Sequence, residues 1–133
     1  MRPTRFEEFA VSLAKQDPTA GQASSLKEAG DSKTPFGLAV ALSGRTARFQ
    51  FIAQSAEGDR YEQPERPVEG DVTPLEGPWA EGPEGWLAQL LAGSGSLEIA
   101  GIEQWSLRPE PADRRNGLTV HFHDGARIFA RAL

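Results

Sequence analysis

Residues 36 to 54 constrain the fold more than any other stretch, because they carry large apolar side chains at alternate positions on both sides of a Gly44-Arg45 pair. A two-residue turn with glycine first suits a type II′ hairpin, and the turn then sets the register. Ser43 faces Thr46, and counting outward pairs Leu42 with Ala47, Val40 with Phe49, Leu38 with Phe51 and Phe36 with Ala53. One face is wholly apolar. The other pairs Ala41 with Arg48 and Ala39 with Gln50, so a slip of one residue would mix oily and polar sets.

A second reversal lies in Leu118–Ala130, which holds the two histidines of the chain. His121 and His123, two apart, would share one side of a strand and suit a metal if the turn were Asp124-Gly125 alone. That turn sets Phe122 against Arg127 and Leu118 against Arg131, mixing burial with charge. A three-residue loop of His123, Asp124 and Gly125, with glycine in the left-handed position, pairs Phe122 with Ala126, Val120 with Ile128 and Leu118 with Ala130. This register is expected. It moves His123 into the turn, and neither a metal nor a cofactor is expected. The polar side then carries Thr119, His121, Arg127 and Arg131, along with Phe129.

Two helices complete the expected elements. Thr4 and Glu7 have capping-box spacing, Phe6, Phe9, Ala10, Leu13 and Ala14 form one apolar stripe, and Pro18 blocks continuation. Pro83 suits the first turn of a second helix, with Trp86, Leu87, Leu90 and Leu91 on a broad apolar face and Gly93 at its end. Trp86 is expected to pack on the sheet. Between Thr19 and Thr34 the chain is small and polar, with Ser25 and Glu28 able to cap one short turn before Gly30. From Ser96 to Leu107 alternation predicts a strand with Leu97, Ile99, Trp105 and Leu107 on one face. Glu103 breaks that pattern, and a bulge at Gly101 turns it outward; the alternative is an acid pressed against an apolar wall with a raised pKa.

Composition explains what lies between. With 14 Gly and 10 Pro in 133 residues, much of the chain must be loop, and with no cysteine it has neither disulfides nor thiolate chemistry. Its length fits one domain. No apolar run is long enough to span a membrane, and the opening MRPTRFEEF lacks the apolar core of a secretory signal, so cytoplasmic residence is expected. The net charge of −5 is uneven. Residues 55 to 86 hold 2 basic and 9 acidic side chains, and this stretch also contains Pro64, Pro67, Pro74 and Pro78. A long acidic loop at about 55–82 is expected, with Trp79 as its one large anchor.

The elements together predict a single α+β domain over residues 1–133: two layers, about five antiparallel strands, and two main helices on one sheet face. No phosphate loop, dinucleotide fingerprint, nucleophile elbow or helical histidine pair is present. The expected function is therefore non-catalytic: an inhibitor, an immunity-type protein or an assembly factor that presents Glu69, Asp71, Glu76, Trp79 and Glu81 to a basic protein surface. The alternative is a small-molecule-binding protein or minor enzyme using Arg48, Gln50, His121 and Arg127 on the polar sheet face. A nucleic-acid backbone is a poor partner for so acidic a chain.

Overall fold

The computed structural model describes residues 1–71 and 76–133; Pro74 of the expected loop lies outside the described residues. In chain order the elements are helix α1 (Pro3–Gln16), strands β1 (Ala23–Ser25), β2 (Gly37–Leu42) and β3 (Arg45–Gln54), helix α2 (Gly82–Ala92), and strands β4 (Ile99–Gln104), β5 (Gly117–Phe122) and β6 (Arg127–Ala132). Short 3₁₀ turns at Trp105–Leu107 and Pro111–Asp113 lie between β4 and β5. All strand pairs are antiparallel, in the order β1-β2-β3-β6-β5-β4. The protein is thus an α+β fold with an open six-stranded sheet rather than five strands.

The sixth strand is β1. Three residues of Ala-Ser-Ser carry no strand pattern of their own, and they are extended because Ala23, Ser24 and Ser25 pair with Val40, Ala39 and Leu38. The turn after β1 forms as expected, with the Glu28 N–H donating to Ser25 Oγ at 3.1 Å.

The β2–β3 hairpin departs from the expected register. Its turn is Ser43-Gly44, both at positive φ (49° and 80°), which is type I′ geometry, and Leu38 faces Phe49 instead of Phe51. Moving the turn by one residue shifts each pairing by two, so the side-chain parity survives. Leu38, Val40, Phe49 and Phe51 all remain on the buried face. Burial alone does not distinguish registers two apart; the turn geometry does. The β5–β6 hairpin has the expected register, with Val120 opposite Ile128, Leu118 opposite Ala130, and Gly125 at φ 91° closing the three-residue loop.

Both helices lie on that apolar face. Phe6 is fully buried and meets Phe51 and Phe122 edge-on, at centroid distances of 4.9 and 6.1 Å. Leu87, Ala88 and Leu91 of α2 complete the core over Leu118, Val120 and Ile128. The expected capping box is not formed. The helix opens one residue earlier, at Pro3, which leaves Thr4 inside it and no side-chain cap. Glu7 faces the sheet instead and accepts the Gly37 N–H at 2.9 Å. In α2, Pro83 stands in the first turn and Gly93 caps the end. Trp86 is half-buried at the core margin, where its indole N–H donates to Asp17 Oδ2 at 2.6 Å; α1 as well as the sheet sets its place.

The expected strand after Ser96 is shorter. A bulge falls between Ile99 and Gly101, and Glu103 is exposed beside Arg108, 2.8 Å away. At Trp105 the chain turns out of the strand, so Leu97 and Leu107 are exposed rather than aligned with Ile99 on an apolar face. No helix among the described residues is long and apolar enough to cross a membrane.

Candidate functional site

The acidic segment forms no helix or strand over the described part of residues 55–81, yet it is fastened along its length. Arg2 of α1 binds Asp59 at 2.8 Å and the Arg60 carbonyl at 2.8 Å. Arg5, one turn along, bridges Glu65 and Glu98, with Nε 2.7 Å from Glu65 and Nη1 2.9 Å from Glu98. Farther on, the Gly70 N–H donates to the Leu97 carbonyl at 2.8 Å. The returning limb is held by Gln104, whose Oε1 accepts the Ala80 N–H at 2.6 Å and whose Nε2 donates to the Pro78 carbonyl at 2.9 Å. The loop is thereby bonded beyond both ends of edge strand β4.

These contacts set the local electrostatics. The Arg2 hydrogen bond holds the Asp59 carboxyl below its ordinary range. Burial pushes Glu65 up, but the Arg5 hydrogen bond, the Arg2 N–H and the nearby positive charges outweigh it, leaving a net depression. The Arg5 guanidinium is stabilised in turn by Glu98 first and Glu65 second.

Glu69, Asp71, Glu76 and Glu81 are exposed and make no ion pair among the described residues. Glu81 stands at the N-cap of α2 without capping it through its side chain. Trp79 is half-buried against the core, so much of the surface expected to serve a partner is spent on packing. Where the loop crosses the β5–β6 turn, a Cβ at Gly70 would lie 2.6 Å from the His123 ring, and His123 Nε2 is buried with no hydrogen-bond partner among the described residues. Neither contact is visible in sequence, because the partners are more than fifty positions apart.

The other expected residues lie on the helix-free face. Alternation from the buried Phe49, Phe51, Ile128 and Ala130 puts Arg48, Gln50, Ile52, Gln54, Arg127, Phe129, Arg131, Thr119 and His121 there. His121 faces Arg127, and Gln50 faces Arg131. Arg48 is six residues along β3 from Gln54, the partner of Arg127, a span of about 20 Å at the rise of a strand. Arg48 and Gln50 therefore stand at one end of the face and Arg127 and His121 at the other, and the four do not converge on one small ligand.

Between those ends lies a feature the sequence reading left out. Ile52, 46% exposed, sits directly opposite the half-buried Phe129. The only signal in the sequence was parity, which put Ile52 among polar residues. Among the described residues no group of three or more histidine or acidic side chains is placed to hold a metal ion. Compared with protein-family models, with curated proteins and with solved structures, the chain matches none of them.

Proposed function

We propose that this chain is a non-catalytic protein-binding module, of the inhibitor, immunity or assembly-factor kind, which offers Glu69, Asp71, Glu76 and Glu81 to a basic surface on another protein. The observation that supports this reading is the fastening of the acidic loop. Five side-chain and backbone attachments, at Asp59, Glu65, Gly70, Pro78 and Ala80, order the segment before any partner arrives. A surface ordered in advance loses less conformational entropy on binding, and exposed carboxylates speed encounter with a positive partner. Arg2 and Arg5 neutralise only the loop's proximal acids, leaving the distal four for recognition.

The test is affinity capture from native cell extract at low and high salt, comparing the wild type with a Glu69→Gln, Asp71→Asn, Glu76→Gln, Glu81→Gln variant. A basic protein retained by the wild type should be lost from the variant by about tenfold and released by added salt. Undiminished capture by the neutralised variant removes the basis for this function.

A further inference from the structure

The helix-free face of the sheet is not flat. One register row runs Gly37, Gln50, Arg131, Gly117 across β2, β3, β6 and β5, and it begins and ends with glycine. Each glycine is covered by a large side chain. A Cβ at residue 37 would lie 2.7 Å from Leu26 Cγ, and one at residue 117 would lie 2.6 Å from Trp105 Cε3. Leu26 is fully buried and, by alternation from Ser25, rises on this face, outside the helix-side core. Trp105 is fixed by its indole N–H on Thr119 Oγ1 at 2.8 Å, which buries Thr119. Two walls thus stand about three strand spacings apart, about 14 Å, with β3 and β6 as the floor between them.

The floor has a definite chemistry. Ile52 and Phe129 form an apolar strip, and Arg131 and Arg127 lie one pleat to either side of Phe129 along β6. Arg48 extends the positive edge beyond Gln50, and His121 lies beside Arg127. Arg127 and Arg131 are exposed and make no ion pair among the described residues, while Arg48 has Asp31 near enough to lower that carboxyl's pKa. The carboxylate on this face, Glu103, is engaged by Arg108, which itself lies over the Trp105 ring at 5.3 Å. An acidic chain therefore carries a cationic, apolar-floored trough.

We infer that this trough is a second docking surface, distinct from the acidic loop, and that its occupant is an acidic amphipathic segment of another polypeptide. Apolar side chains of that segment rest on Ile52 and Phe129, and its carboxylates meet Arg127, Arg131 and Arg48. Charge complementarity selects this occupant. A nucleic acid is disfavoured because the whole chain is net negative and because Phe129, half-buried, offers a poor stacking platform. A compact ligand is disfavoured because the cationic groups are strung along the trough rather than gathered.

The probe is a fluorescein-labelled peptide of Glu-Leu-Glu-Glu-Phe-Glu repeats, followed by anisotropy with the full chain. The wild type should bind it and should not bind the same peptide with lysine in place of glutamate. Arg127→Glu with Arg131→Glu should weaken binding by about tenfold or more, and Ile52→Asp should do the same, each with an unchanged thermal midpoint. The four-fold loop neutralisation should leave this binding intact, so the outcome is separable from that of the loop. Binding that survives the arginine reversals, no binding by a folded wild type, or displacement of the peptide by a single-stranded oligonucleotide of equal affinity would each overturn the inference.

Discussion

Glu84 is the residue with most to lose on substitution. It is 4% exposed in the first turn of α2, and it accepts the Gly117 N–H at 2.7 Å and the Ser106 hydroxyl at 2.5 Å, with the Ser106 N–H at 3.3 Å. One carboxylate therefore satisfies the backbone where the chain leaves β4 and where it rejoins the sheet as β5. Removing it leaves the buried Gly117 N–H without an acceptor, and a buried unsatisfied donor costs about 1–3 kcal/mol. Glu84→Ala should lower unfolding free energy by about 2–3 kcal/mol in urea titration, and Glu84→Gln by less, since one acceptor oxygen remains. A loss under about 0.5 kcal/mol for alanine would show that water fills the place. In sequence Glu84 is one more acid near a helix start; its partners are 22 and 33 residues away, and no local pattern encodes them. The same holds for Glu7 at Gly37 and Asp17 at Trp86. Exposed Glu69, Asp71, Glu76 and Glu81 could be named from charge alone, whereas the tethers at Arg2, Arg5 and Gln104 could not.

At the scale of elements, the helices and both hairpins were legible because each has a period of its own, and β1 was not because it has none. The β5–β6 register was fully determined: a two-residue turn would have buried arginine. The β2–β3 register was determined only to within two residues, since parity holds in both alternatives. Ser43 now pays a cost for that choice by occupying left-handed backbone at φ 49°, where Asn and Gly are favoured. Ser43→Asn should accordingly stabilise the protein by about 0.5 kcal/mol, measured by thermal or urea unfolding, with the hairpin register unchanged. Destabilisation by this substitution would indicate that the turn is not type I′ in solution. Trp105 shows the opposite limit. Alternation placed it in a strand on the apolar face, but Pro109 and Pro111 follow closely and the chain turns at Trp105, which carries the ring over to Thr119 on the other face.

For the whole molecule, charge couples the parts that packing leaves separate. Arg2 and Arg5 tie α1 to the acidic loop and to Glu98, just ahead of β4, and Asp17 and Asp31 are held below their ordinary pKa chiefly by the N–H groups of Thr19 and Lys33 respectively. Asp59 and Glu65 are likewise depressed. For a depressed carboxyl, the unfolded chain binds more protons between the two pKa values, so the stabilisation is full above the unfolded value and is lost as pH falls through the folded one. The thermal midpoint should therefore hold near neutrality and fall below about pH 4. Arg5→Met should have a lower midpoint at pH 7 and a shallower acid limb; a limb as steep as the wild type's would remove Arg5 from this account.

The fastening of the loop to Leu97 and Gln104 also bears on how copies of this chain can meet. A sheet grows by hydrogen-bonding a new strand to a bare margin. Here one margin is flanked by the chain's own loop, and the opposite margin, β1, is three residues long. Neither offers a long template for another strand, so contacts with other molecules fall to faces and side chains, and the protein is guarded against the backbone-to-backbone stacking that leads to fibres.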